Sequence, residues 1–331
     1  MRALQIDTYG DEDVVTSRDI PVPEIGPDEV LVRLGVSGIN FMDIHTRQGK
    51  YRDSRTYEVS VPTTLGMEGG GIIEKVGRDV RDLHPGQRVV YCISWGSYAD
   101  YAAVPARRVV PVPDELTLRR ATTALFHGLT AHYLARDVGQ LGPGVSCLVH
   151  SASGGIGQIL VQMGVACGAS VYATTSTSGK AEVARSRGAS EVFGYEDFAA
   201  RIREATGGRG VDVVFDPVGA PTFRQSLQAL RRKGLMVAFG SVGGSVRDLD
   251  PIELGEAGSV FLTRPRLADH IASAEDIRRR ADEVFSWLLS GELEISCAGE
   301  FGFDEVLEVH RRLENRQLVG KPLLSIDPAI D

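Results

Sequence analysis

The chain has 331 residues and a formal net charge of −8, with 43% hydrophobic and 24% charged residues. This is ordinary globular composition, long enough for two domains, and its acidic balance makes nucleic acid a poor partner because like charges repel a phosphate backbone. Cys92, Cys147, Cys167 and Cys297 are scattered without a C-x-x-C pair, which argues against a disulfide framework and a structural zinc knot.

The first residues, Met1-Arg2-Ala3-Leu4-Gln5-Ile6-Asp7, reach an acid before an apolar run forms. No signal peptide and no membrane span is expected, and the cytoplasm is the default location. The first third reads as short strands broken by Pro21, Pro23, Pro27, Pro62, Pro85 and Pro105, as in a small sandwich or barrel. Residues 29–36 alternate, with Val30, Val32, Leu34 and Val36 on one side; 71–76 and 88–92 are further strands. From about 142 to 264, apolar runs alternate with helical patterns: strands at 145–150, 171–174, 211–215 and 235–239, helices from Ile156 to Cys167 and at 181–186, 198–205 and 223–230. Such alternation predicts a parallel sheet with right-handed crossovers. A long helix at 274–290, ended by Gly291, and a strand at 322–326 close the chain.

The segment Ser151-Ala152-Ser153-Gly154-Gly155-Ile156-Gly157 joins the first strand of this region to its first helix. Aligned on G-x-G-x-x-G, it has Ala152 at the first glycine, while Gly154 lets a pyrophosphate approach and Gly157 lets the helix pack on the strand. The reading without a ligand is a tight strand–helix turn. About 20 residues on, where an NAD site carries an acid, stand Thr174-Thr175-Ser176-Thr177-Ser178-Gly179-Lys180. Hydroxyls on Thr175 and Ser176 with the Lys180 charge would accept a 2′-phosphate, so NADPH is expected over NADH; the alternative for Lys180 is a solvated helix-start lysine.

With Gly38-Ile39-Asn40-Phe41-Met42-Asp43, Gly66-Met67-Glu68-Gly69-Gly70-Gly71, Pro85-Gly86-Gln87-Arg88-Val89, Gly128-Leu129-Thr130-Ala131, His150 through Gly157, and Phe239-Gly240, the chain resembles the medium-chain dehydrogenase/reductase superfamily. The likeness is to its zeta-crystallin-like NADPH:quinone oxidoreductase branch, over essentially the whole length. The resemblance implies an α/β protein, a Rossmann doubly wound parallel sheet (126–267) inserted in a GroES-like β-rich catalytic domain (1–125 and 268–331), with the active site in the cleft between them. It implies Asn40, Phe41 and Asp43 lining the nicotinamide end, with Thr130 near the ring and Tyr133 a turn further on. Ser153, Gly154, Gly155, Ile156 and Gly157 would hold the pyrophosphate. Lys180 and Tyr195 would hold the adenosine phosphate end, and Val218, Phe239, Gly240 and Ser241 would follow the cofactor. Arg264, Arg316 and Lys321 are further candidates for phosphate contacts.

Zinc-dependent relatives place a cysteine early in the catalytic domain and a histidine in a Gly-His-Glu motif; the corresponding stretches here hold Asn40-Phe41-Met42-Asp43 and Gly66-Met67-Glu68. Amide and thioether are poor zinc ligands, so no metal is expected. Without a Lewis acid, reduction of a quinone or another conjugated carbonyl is easier than alcohol oxidation. Tyr51 could donate the proton or could be a packing tyrosine; His45, His127 and solvent are alternatives. Enoyl or enone reduction, acting on an unsaturated carbonyl or thioester, is a competing reading. A crystallin-like or RNA-binding protein that binds NADPH without turnover is a second. The 51–64 loop, with Arg52, Asp53, Arg55 and Glu58, either shapes substrate choice or is simply solvated. An apolar edge at 258–263 suggests a homodimer.

Overall fold

The computed structural model describes residues 1–57 and 59–331; Glu58 lies outside the described residues. The chain divides into two compact units: Met1–Phe126, Ile271–Leu289 and Ile295–Asp331 form one, and His127–His270 with Ser290–Glu294 form the other.

The first unit opens with strands β1 (Arg2–Ile6), β2 (Val15–Asp19) and β3 (Glu29–Gly38), helix α1 (Phe41–Arg47), then β4 (Thr63–Thr64), β5 (Glu68–Val76), β6 (Arg88–Cys92), β7 (Tyr101–Pro105) and β8 (Val109–Pro111). β3 is its spine. One edge pairs antiparallel with β5, and β7 pairs along its first half. The alternating Val30, Val32, Leu34 and Val36 are all fully buried, as their period of two demands. Helix α2 (Leu118–Tyr133) runs from the first unit into the second.

The second unit carries β9 (Ser146–Val149), α3 (Gly155–Ala166), β10 (Ser170–Thr174), α4 (Ser178–Ser186), β11 (Glu191–Phe193), α5 (Phe198–Ala205), β12 (Val211–Asp216), α6 (Phe223–Ala229), β13 (Leu230–Ala238), α7 (Ile252–Glu256), β14 (Phe261–Thr263) and α8 (Leu267–His270). The strands form one parallel sheet in the order β11-β10-β9-β12-β13-β14. Leu148, Phe198, Ile202, Val214, Phe223, Leu227 and Met236 fill one core of this unit. Strand β13 begins five residues before the apolar run of 235–239; its parallel pairing with β12 already holds at Val211 with Leu230, across an irregularity in register.

After α9 (Ala274–Ser290) come β15 (Cys297–Phe301), α10 (Val306–Glu314) and β16 (Lys321–Ser325). β16 pairs antiparallel with the end of β3 and parallel with β15, so the C-terminal segment completes the first unit's sheet.

Candidate functional site

In the second unit, sheet order reverses between β9 and β12. Ligands of open parallel sheets bind at such a reversal, beyond the carboxyl ends of the strands. β9 delivers His150 and Ser151, the latter with a left-handed φ of 53°, and Gly154 caps α3 in extended conformation. A Cβ on Gly157 would overlap Ser151 O, and one on Gly155 would overlap the His127 ring. Glycine is therefore required at 157, where the obstacle is backbone, while at 155 an added methyl would have to displace the His127 ring. With Ser153 and Ile156 these glycines form the turn from which the first α3 amides project, a helix end that suits an anion.

His150 is fully buried. Its Nδ1 lies 2.7 Å from Thr174 Oγ1 and its Nε2 2.9 Å from Ser226 Oγ. Burial pushes its pKa down to about 4, against the pull of Asp216. The Ser226 hydroxyl donates to Asp216 Oδ2 or Thr222 O, so Nε2 carries the imidazole proton and Nδ1 accepts from Thr174. Asp216 also receives the Val218 and Gly219 amides at 2.7 and 3.0 Å and the Thr222 hydroxyl at 2.7 Å. This network ties the ends of β9, β10 and β12 to α6. Sequence reading placed Val218 near the cofactor but missed Asp216, Thr222 and Ser226, which carry no motif.

Tyr195 stacks on His150 at 5.9 Å. Its hydroxyl accepts the Ser151 amide at 3.0 Å and lies 3.2 Å from Ser151 Oγ, which places it under the phosphate loop. Beyond β10, Thr175 is buried and Ser176 exposed. Thr177 caps α4 by accepting the Lys180 amide at 3.3 Å. No carboxylate stands between Thr174 and Lys180. Phe239, Gly240 and Ser241 follow β13; Gly240 is pressed against Pro217, whose oxygen would lie 2.5 Å from a Cβ there. On α2, Thr130 is buried and Tyr133 stacks on His270 at 4.2 Å. Arg264 is exposed just past β14. Loop, helix ends, hydroxyls and lysine together suit a phosphorylated dinucleotide.

The first unit holds a second cluster at the start of α1. Asp43 Oδ2 accepts the Asn40 amide at 2.7 Å and the Tyr98 hydroxyl at 2.9 Å, and Tyr98 Oη lies 3.3 Å from His310 Nε2. Burial raises Asp43 to about 7, outweighing those two hydrogen bonds and the charge of Lys321, with Glu68 adding to the rise. Burial, reinforced by Arg47, lowers His310 to about 3.

Two expectations change here. Asn40 was expected to line the nicotinamide end, but its side chain is buried and turned to the protein. Its Nδ2 donates to Gly38 O and Glu68 Oε2, both at 3.1 Å, and its Oδ1 accepts from Lys321 Nζ at 2.5 Å. Lys321 was expected as a phosphate contact; it is wholly buried, its ammonium paired with Glu68 and bonded to Asn40. Among the other first-unit candidates, Phe41 packs 6.3 Å from the His45 ring. Tyr51 Oη lies 3.4 Å from His45 Nδ1, with its ring edge-on to Tyr57. Arg316 is exposed beyond α10. The candidates thus fall into two groups, one in each unit.

The alcohol dehydrogenase GroES-like domain matches residues 26–114, and the zinc-binding dehydrogenase domain matches residues 155–281. Quinone oxidoreductase 1 of Escherichia coli is 33% identical over 97% of this chain and 98% of that protein. A 2-haloacrylate reductase of Burkholderia sp is 34% identical over 97% and 98%. The crystal structure of Escherichia coli quinone oxidoreductase complexed with NADPH superposes with a TM-score of 0.94 at 33% identity, over 98% of this chain and 100% of that one. The chain belongs to the medium-chain dehydrogenase/reductase superfamily, in its quinone oxidoreductase branch. Its fold is a GroES-like domain joined to a parallel-sheet Rossmann domain. The second domain's description names zinc, but the donor set does not suit that ion: Asn40 is engaged with Lys321 and Glu68, and Met67 is wholly buried.

Proposed function

We propose that this chain is an NADPH-dependent oxidoreductase that transfers hydride to quinones. One observation carries the reading. The segment from Thr174 to Lys180 presents hydroxyls and a lysine with no carboxylate, in a chain whose backbone follows that of an NADPH-complexed quinone oxidoreductase. A carboxylate there would repel the 2′-phosphate.

NADPH, when bound, supplies the hydride. The α3 amides hold the pyrophosphate. Thr175, Ser176, Lys180 and Tyr195 receive the 2′-phosphate. Val218, Phe239, Gly240 and Ser241 follow the ribose side, while Thr130 and Tyr133 belong to the nicotinamide end; Arg264 and Arg316 are outer phosphate candidates. Phe41 and Asp43 are candidates in the first unit, and Tyr51, also there, stabilises or protonates the oxygen that gains charge. The GroES-like portion is assigned to 1–125 and 268–331, the nucleotide-binding portion to 126–267. The same reading makes the protein a homodimer working in the cytoplasm, with no nucleic acid partner. No helix among the described residues is long and apolar enough to cross a membrane.

Loss of NADPH absorbance with a panel of quinones and enones tests the activity. Turnover of quinones is expected. Faster turnover of halogenated or plain enones would move the substrate class toward that of the 2-haloacrylate reductase relative. Tight NADPH binding with no turnover would favour a binding protein that performs no chemistry.

A further inference from the structure

Lys321, Glu68 and Asn40 come together from segments 253 and 28 positions apart, and each is buried. Lys321 opens β16, Glu68 opens β5, and Asn40 bridges β3 and α1. The Lys321 ammonium donates to Glu68 Oε2 and to Asn40 Oδ1, with the Phe126 ring face 5.4 Å away. Glu68 Oε2 also accepts from Asn40 Nδ2, and Glu68 Oε1 accepts the Phe126 amide at 2.9 Å. A Cβ on Gly38 would overlap this carboxylate, so β3 ends in glycine where the pair must fit.

Every polar atom of the Asn40 amide is thereby engaged: one hydrogen on Gly38 O, one on Glu68, the oxygen on Lys321. The amide has no donor left for a substrate oxygen. A buried ion pair is also a poor device for stability alone, since an apolar pair of the same volume often does as well. What it adds is direction, because its hydrogen bonds admit one arrangement of the three segments.

We propose that Lys321 and Glu68 are positioning residues: they latch Asn40, set the point at which α1 begins, and so place Phe41 and Asp43 for hydride transfer. The catalytic part of this inference rests on the reductase reading above. Asn40 contributes geometry, and Lys321 takes no part in holding phosphate.

The test compares Lys321→Met, Glu68→Gln and the double variant in the full chain. Each single change strands a buried partner and should lower Tm. The double variant removes both charges of the pair, leaving neither stranded, and should recover most of that Tm. Its kcat should nonetheless stay down by on the order of 10- to 100-fold, as a small misplacement of reacting groups costs, with the NADPH Kd unchanged. Gly38→Ala, which pushes the pair apart without altering charge, should lower kcat in the same way. A double variant that regains both Tm and kcat would reduce the pair to a structural one. Weakened NADPH binding at unchanged Tm in Lys321→Met would restore the phosphate role. Should wild type reduce neither quinones nor enones, the reductase reading fails, and the latch is read from hydrogen exchange: α1 amides should lose protection in the double variant, and wild-type protection there would overturn the latch itself.

Discussion

Asp43 and His150 are buried titratable groups whose contributions to stability run in opposite senses with pH. Burial pushes the Asp43 carboxyl up to about 7 in the folded state, against 3.8 for a free aspartate side chain. Between these values the native state binds the proton and the unfolded chain does not, so this contribution is present at low pH and is lost as pH rises toward 7. Asp43→Asn keeps an acceptor for the Asn40 amide and removes the titration. Relative to wild type, its unfolding free energy should climb by a few kcal/mol, on the order of 4, between pH 4 and 7 and then level off; urea unfolding at several pH values measures this. A flat difference would show that Asp43 titrates normally. For His150 the sign reverses. Its folded value of about 4 lies below 6.5, so the unfolded chain takes the proton first and stability falls as pH drops from about 6.5 to 4. His150→Gln should flatten that slope while keeping one hydrogen bond of the network. At this scale the sequence was readable where a motif spoke: His150 through Gly157 and the Asn40–Asp43 stretch were singled out. The partners were not. Lys321 was a phosphate candidate through the family resemblance alone, and no local pattern announces an ion pair made across 253 positions.

Two helix starts, α3 and α4, carry the cofactor argument, and each offers a separate test. Alanine at Gly157 would drive a methyl group into the Ser151 carbonyl, forcing α3 away from β9. Gly157→Ala should weaken NADPH binding at least tenfold and lower Tm, followed by fluorescence titration and calorimetry; wild-type affinity would mean the loop yields easily. At α4, Lys180→Ala should raise the KM for NADPH by about tenfold, the size of one charge-assisted contact of 1–2 kcal/mol, and leave the KM for NADH nearly unchanged. Equal effects on both cofactors would remove Lys180 from the 2′-phosphate. The elements bearing these residues were legible because strand runs and helical repeats alternate cleanly there: α5 and α9 begin and end where their periodicity predicts. α2 was not foreseen. It is buried along nearly its whole length, so it lacks a polar face, and Gly128 with Thr122, Thr123 and Thr130 interrupts the apolar pattern. α10 and β15 are short, at 9 and 5 residues, and give periodicity little room to show.

At the scale of the whole chain, the alternation of strands and helices predicted a parallel sheet, and right-handed crossovers leave few ways to order it. That the C-terminal tail belongs with the first unit came from resemblance alone, and the pairing of β16 with β3 was not foreseen, because antiparallel pairing across nearly 300 residues has no signature in either segment. The sheet's outer strand is where an assembly would form. Among the described residues β14 pairs only with β13, and Phe261 and Leu262 on it are 63% and 36% exposed, with Ile252 on α7 at 68%. A short edge strand with apolar side chains and unpaired backbone groups is a template for a second copy, and a twofold axis would bring the same strand against itself. Two lysines facing each other across that axis would repel and face desolvation. Phe261→Lys should therefore convert a dimer into a monomer in sedimentation equilibrium while NADPH still binds, since the dinucleotide loop follows β9, three strands away from β14 in the sheet order. A wild-type chain that sediments as a monomer at micromolar concentration, or a Phe261→Lys chain that stays dimeric, would place the association elsewhere or remove it.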